Sequence, residues 1–438
     1  MTNTSTYPNT DIPPTYGNWK TFFLVPQNVI VTGGAGYIGS HIIYTLLKTH
    51  KYKVISIDNY HNSFPAALAR VSELALSELK ASLPLNTEPS ERDLDSITID
   101  IHETDLLLNP SGVRSIFSSY LSTNGIWGVI HLSAYKAVGE SSSIPLTYYA
   151  NNVSATISLL QIMQEFRCYR LIYSSSATVY GAVEEVPIKE TTERQIEGRI
   201  QVNGEREGSV YGRTKVMCEL IVEDLCESSA LAGSPTPFQA ISLRYFNPAG
   251  AHPSGYIGEH PRGRPENLLP LLAHMAVGTV KDPVLKVFGN DYPTPDGTCV
   301  RDYLHILDLA AGHVIALQAL EEGSELNKTI FPGDTTESGS TITMETGDKG
   351  MKRGTKFKAY NLGKGHGMSV LQIVGAMKTA TGFDYKTEVV GRRRGDVPEL
   401  VANPALAQAE LGFNAPLDLE TMCRDLWNWQ EKNPTGYE

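Results

Sequence analysis

Up to about residue 246 the chain alternates between two hydrophobic patterns. Short apolar, β-branched runs occupy 28–32, 53–57, 96–101, 127–132, 169–173 and 239–246. Near-continuous apolar runs of this length predict strands buried on both faces. Between them, apolar positions recur every three or four residues. They include Ile42, Ile43, Leu46 and Leu47, then Leu68, Val71, Leu74, Leu76 and Leu79, then Val113, Ile116 and Phe117. A long helix is expected over 145–166, and another where Met217, Leu220, Ile221 and Leu225 follow Tyr211. Strands alternating with helices of this length predict an α/β fold, a doubly wound parallel sheet. Beyond 246 the alternation breaks down into Gly- and Pro-rich loops around 267–270, 287–292 and 300–305, which suggests a smaller mixed C-terminal lobe. The expected organisation is an N-terminal extension (1–26), a first domain (27–246) and a second lobe (247–438) with segments that return to the first. Surface insertions are expected near 75–95, 194–208 and 322–356, the last poor in apolar residues.

Composition narrows the functional classes. The chain has 438 residues, 41% apolar and 19% charged, as in ordinary globular proteins. Its net charge of −11 argues against a general nucleic-acid or anionic-membrane surface. Five scattered cysteines form no C-x-x-C pair, so free thiols are expected and no metal site. No apolar run approaches the ~20 residues of a membrane span, and the patch at 22–25 is too short for a signal peptide. A cytoplasmic protein is expected.

The candidate chemistry gathers at the ends of the predicted strands. The first ends in Gly33-Gly34-Ala35-Gly36-Tyr37-Ile38-Gly39, a G-x-x-G-x-x-G turn that opens a helix. Such glycines permit a tight turn, close backbone approach to a pyrophosphate and helix–strand packing, with the helix N-terminus facing the phosphates. The next strand ends in Asp58-Asn59, about 20 residues on, where a carboxylate accepts from ribose hydroxyls and favours NAD over NADP. The first domain is therefore expected to be a Rossmann-type NAD-binding domain. The strand at 169–173 runs into Ser174, Ser175 and Ser176. Tyr211 and Lys215 are four apart, hence on one helical face, and a neighbouring ammonium is expected to lower the phenol's pKa and make it a base near neutral pH. Arg392, Arg393 and Arg394, with Arg301, form a candidate anion site in an otherwise acidic chain.

Taken together, these motifs resemble the UDP-glucose 4-epimerases (UDP-galactose 4-epimerases) of the extended short-chain dehydrogenase/reductase family, from about Val29 to the end. The most specific stretches are 33–40, 136–141, 174–181, 245–250, 288–292 and 297–305. The resemblance implies a catalytic set of Ser176, Tyr211 and Lys215. It implies NAD contacts from Gly33, Gly36, Tyr37, Ile38, Gly39, Asp58, Asn59, Asp105, Leu106, Leu132, Ser133, Lys136, Asn151, Ser174, Tyr211, Lys215 and Phe246. The UDP-sugar set it implies is Lys136, Ser176, Tyr211, Asn247, Asn267, Leu268, Phe288, Arg301, Tyr303, Arg393, Asp396 and Leu400. The family commonly has Phe-Ala-Gly-Leu-Lys where this chain has Leu132-Ser133-Ala134-Tyr135-Lys136, which alters the cofactor wall. It has Arg-Arg-Glu-Gly-Asp where this chain has Arg393-Arg394-Gly395-Asp396, which leaves Arg393 and Arg394 as alternative diphosphate ligands.

The implied reaction interconverts UDP-galactose and UDP-glucose, as part of galactose metabolism, through a 4-keto sugar that turns over between oxidation and reduction. Leu400 stands where family members gate space for a 2-N-acetyl group, and its bulk implies a preference for UDP-glucose and UDP-galactose. The family implies a homodimer built on the helices near 145–166 and 211–228. Alternatives are a dehydratase or decarboxylase of the same fold and a non-catalytic NAD-binding regulator. Dehydratases usually place Asp-Glu where this chain has Ala177-Thr178, and a regulator needs no base.

Overall fold

The structure, a computed structural model, describes residues 26–438 apart from 182, 184, 196–207, 235, 264, 282, 333–354 and 394–395. The predicted apolar runs form β1 (Gln27–Thr32), β2 (Tyr52–Asp58), β3 (Ile99–Glu103), β4 (Gly128–His131), β5 (Arg170–Ser176) and β6 (Gln239–Tyr245). Later strands are β7 (Asn247–Ala249), β8 (Val284–Phe288), β9 (Val300–His305), β10 (Phe357–Leu362), β11 (Gly367–Ser369), β12 (Lys386–Val390) and β13 (Glu399–Leu400). A seven-stranded sheet runs in the order β10-β6-β5-β4-β1-β2-β3, and every pairing in it is parallel. Chain order reverses between β1 and β4, so the crevice for a ligand opens at their carboxyl ends.

Both faces of the sheet are buried. On β1, Val29 and Val31 pack into one core with the Tyr37–Leu47, Pro65–Ser82 and Ile306–Gln318 helices. Ile30 points the other way, into a core shared with Pro110–Ser119, Ala155–Glu165 and the far half of Val210–Leu231. This two-sided burial is why the strands lack polar alternation. In the second lobe, β9 is flanked by β7, β11 and β13, and β8 pairs with β12. Leu272, Met422 and Trp429 are fully buried in that lobe's core.

Several boundaries differ from the sequence reading. The helix at Pro65 continues to Ser82, into the segment read as insertion, and Ser90 starts a second helix, Glu91–Ser96, through a reciprocal capping box with Asp93. That cap delays β3 to Ile99. The single helix expected over 145–166 is interrupted by a π-helical turn, Tyr149–Ser154. The wider turn brings Asn152 inward, where Oδ1 accepts from Tyr135 N (2.8 Å) and Nδ2 donates to Thr214 Oγ1 (3.0 Å). Within the segment read as an exposed loop at 322–356, Ser324 caps a helix, Glu325–Ile330, that buries Ile330; 333–354 lie outside the described residues. The N-terminal extension through 25 and most of the 194–208 insertion also lie outside them. All five cysteines are buried and free. No helix among the described residues is long and apolar enough to cross a membrane.

Candidate active site

The glycine turn closes against its surroundings at van der Waals limits. Gly33 has φ +71°, and a Cβ there would lie 3.1 Å from Ser133 N. A Cβ at Gly39 would lie 2.1 Å from Gly33 O, so the helix reaches the loop only because this residue has no side chain. Gly36 is the N-cap of Tyr37–Leu47 and supplies no side-chain cap, leaving the first-turn N–H groups free for an anion. These features fit the pyrophosphate of a dinucleotide.

The predicted cofactor residues border this turn. Asp58 is buried; its Oδ2 accepts from Ala35 N (3.0 Å), and its Oδ1 accepts from Tyr60 N (2.9 Å) and Ser63 Oγ (2.8 Å). Asn59 Nδ2 donates to Asp105 Oδ2 at 2.7 Å. Burial opposes ionisation of Asp105, but hydrogen bonds from Asn59, Leu108 and Leu107 outweigh it and hold the carboxyl below its ordinary range. Asn59 and Asp105 line a polar depression of about 390 Å³ with His61, Glu103, Thr104 and Asn109. Leu106 is buried in the core beneath. Tyr37 OH donates to Gly250 O (2.8 Å), with the half-buried Ile38 beside it. The Leu132 and Ser133 amides donate to Thr32 Oγ1 (3.1 and 3.3 Å). Lys136 Nζ pairs with the buried Glu259 at 3.2 Å. Asn151 Nδ2 donates to Thr147 O, one turn back (3.1 Å).

At the end of β5, Ser176 caps a 3₁₀ turn, Ala177–Tyr180, accepting from Thr178 N (3.2 Å) and Thr178 Oγ1 (3.1 Å). Ser209 caps the helix Val210–Leu231 through Gly212 N (2.9 Å), placing Tyr211 in its first turn and Lys215 in the next. Both are buried, and the Ser176 hydroxyl is near enough to Tyr211 to favour its phenolate. Lys215 Nζ donates to Ser174 O (2.6 Å) and lies 5.0 Å from the centre of the Tyr173 ring and 5.8 Å from that of Tyr211. Ser174 Oγ bonds Tyr245 OH. Phe246 packs beside Ala177 and Val179.

The electrostatics correct one expectation. Tyr211 is raised above its ordinary pKa, first by burial and then by Tyr245, with the nearby Ser176 hydroxyl acting in the opposite direction. Lys215 is not among the leading influences on it, the ammonium being directed at the Ser174 carbonyl, so burial wins. Burial pushes Lys215 itself down to about 8.

Across the crevice the second lobe presents its polar residues. Asn247 Nδ2 donates to Asp302 O (2.9 Å). Asn267 starts the Leu268–Ala276 helix without using its side chain as a cap, and Leu268 packs on the lobe core. Arg301 Nη2 and Arg393 Nη2 both reach Asp396 Oδ1, at 3.4 and 2.9 Å. Arg393 also lies 5.5 Å over the half-exposed Phe288 ring. Arg392 turns aside to Asp291 (2.8 Å) and stacks on Tyr292, whereas Arg394 and Gly395 lie outside the described residues. Burial pushes Tyr303 up to about 12. Leu400 is in register with Arg301 and touches the cluster containing Phe246 and Ala177.

Sequence reasoning missed Asn152, Glu259, and the pair of Glu219, on the Tyr211 helix, and Arg244 of β6. Glu219 did leave a signal, a charge one turn beyond Lys215 at a position facing the sheet.

Residues 29–329 match the model of the NAD-dependent epimerase/dehydratase family. The chain is 39% identical over 413 residues to UDP-glucose 4-epimerase of Dictyostelium discoideum (94% of this chain, 98% of that one). It is 40% identical over 417 residues to the Homo sapiens UDP-glucose 4-epimerase (94% and 98%). Its fold is similar to the crystal structure of UDP-glucose 4-epimerase from Bifidobacterium longum in complex with NAD+ and UDP, with a TM-score of 0.72, 36% identity, and 94% and 100% of the two chains covered. With its glycine turn and its relatives matched nearly end to end, the chain belongs to the NAD-dependent epimerase/dehydratase family.

Proposed function

We infer that the protein interconverts UDP-glucose and UDP-galactose by inverting C4 through a 4-keto sugar, with NAD as a retained cofactor. The observation that carries this is the burial of Tyr211 and Lys215 together on one helix, with Lys215 Nζ bonded to Ser174 O at the carboxyl end of β5, where Ser176 also lies, at the same end of the sheet as the glycine turn. The near-full-length similarity to UDP-glucose 4-epimerases supports the choice of substrate. NAD, when bound, supplies a reversible hydride acceptor and a positive ring charge. The glycine turn, Asp58, Asn59 and Lys136 would hold it.

Tyr211 takes the proton from the sugar 4-hydroxyl and later returns it to the same oxygen. Burial alone keeps the phenol neutral, so the phenolate that accepts this proton would form, releasing its own proton to solvent, only once NAD is bound and its positive ring charge adds to that of Lys215. Ser176, at the end of β5, would hydrogen-bond the reacting oxygen of the bound sugar and keep it in line with the phenol. Lys215 supplies a fixed cation that favours the phenolate as it forms. Arg301 and Arg393, oriented by Asp396, suit the diphosphate, and Phe288 suits the uracil face. One end of the substrate is thus anchored while the pyranose is free to turn. Leu400 would fill the space that a 2-N-acetyl group needs.

The dehydratase reading lacks support at Ser176, whose neighbour Thr178 offers a hydroxyl and an amide but no carboxylate. Exposed Leu146, Ile157 and Met217 on the 145–165 and 210–231 helices support a homodimer through these faces, and five free cysteines suit a cytoplasmic setting. The test is conversion of UDP-galactose to UDP-glucose by purified protein. A 4-keto-6-deoxy product would transfer the assignment to the dehydratases.

A further inference from the structure

Glu219 lies one turn beyond Lys215 on the Val210–Leu231 helix and is fully buried. Arg244 grips it in a fork, Nε to Oε1 at 2.9 Å and Nη2 to Oε2 at 2.7 Å. Ser242 Oγ adds a bond to Oε1 (2.8 Å), and Arg194 Nη1 reaches Oε2 at 3.4 Å. Ser242 and Arg244 are alternate residues of β6, so one face of that strand serves this carboxylate. Burial opposes its ionisation, but Arg244 and the Ser242 hydroxyl outweigh that and hold Glu219 below its ordinary range.

Buried ion pairs of this kind add little net stability, because desolvation offsets the Coulomb gain and apolar residues of equal volume do as well. A purely structural need would not call for a charge there. The groups facing Lys215 show what the charge does. Its own helix brings Tyr211, Cys218 and Glu219, β5 brings Tyr173, and β4 brings His131. Tyr245 of β6 lies behind Tyr211. Burial raises the tyrosines and Cys218 and lowers His131 to about 3, so these groups are neutral near pH 7. Among the described groups around Lys215, Glu219 is then the one that is ionised.

We propose that Glu219 is a positioning residue for the reaction, a buried counter-charge that keeps Lys215 an ammonium beneath Tyr211, with Arg244 fixing its orientation. This rests on reading Tyr211 and Lys215 as the acid–base machinery. The test is the pH profile of kcat/KM for the wild type, Glu219→Gln and Glu219→Leu/Arg244→Met. The double variant fills the volume without stranding a buried cation, so it guards against simple unfolding. The wild type should lose activity above about pH 8. Both variants should lose it about one unit lower, cutting kcat/KM at pH 8.5 about tenfold, while the double variant's Tm is kept. A folded double variant with the wild-type pH profile would overturn the proposal. A wild type without epimerase activity would remove the underlying reading instead.

Discussion

Tyr211 and Lys215 show how far burial can outweigh pairwise attraction. A Tyr/Lys pair four residues apart reads as an activated phenolate, yet desolvation raises Tyr211 and lowers Lys215. Lys215 loses its proton as pH rises through about 8, so the cation that favours the phenolate is present below that pH and lost above it. The kcat/KM profile, which reports the free enzyme, is therefore expected to fall above about pH 8; a profile flat to pH 9.5 would contradict the role given to Lys215. At Leu400, the expected effect of Leu400→Ser is a gain of at least tenfold in turnover of UDP-GlcNAc relative to UDP-glucose. An unchanged ratio would show that another residue sets the substrate range.

At the scale of elements, close approach and caps decide where chemistry can sit. Gly39→Ala would place a methyl against the Gly33 carbonyl and the Gly34 Cα, both backbone atoms. The variant should purify with several-fold less NAD, measured as nucleotide released on denaturation. Full occupancy would mean that the turn yields. The Ile306–Gln318 helix carries a buried carboxylate in its first turn, Asp308, which accepts from Leu417 N (3.1 Å) and is pushed up to about 7 by burial. Because its folded value lies above the unfolded one, its stabilising contribution is complete below about pH 4 and is lost as pH rises through 7. Asp308→Asn should accordingly raise stability at pH 8 by up to about 4 kcal/mol and by much less at pH 5. Equal shifts in Tm at the two pH values would contradict this.

The whole molecule explains which features were legible in the sequence. Strands β1 to β6 could be read because a parallel sheet covered on both sides leaves continuous apolar runs. β10 could not, since its pairing with β6 spans more than a hundred residues and nothing local marks it. The π-helical turn was equally hidden, because one extra residue barely disturbs a helical pattern, yet it is what carries Asn152 to Thr214 of the Val210–Leu231 helix. The motifs brought Ser176, Tyr211, Lys215 and the glycine turn to one end of the sheet. Motif spacing could not give the direction of Lys215 or the buried partnership of Glu219 and Arg244, which depend on packing.

The most direct test of the central claim is turnover of UDP-galactose to UDP-glucose by the purified protein without added NAD, beside Tyr211→Phe. The phenylalanine keeps the ring and removes the hydroxyl that moves the proton. The account predicts epimerisation by the wild type and a loss of at least about a hundredfold in kcat in the variant, with bound NAD retained. Comparable rates in the two proteins would contradict it.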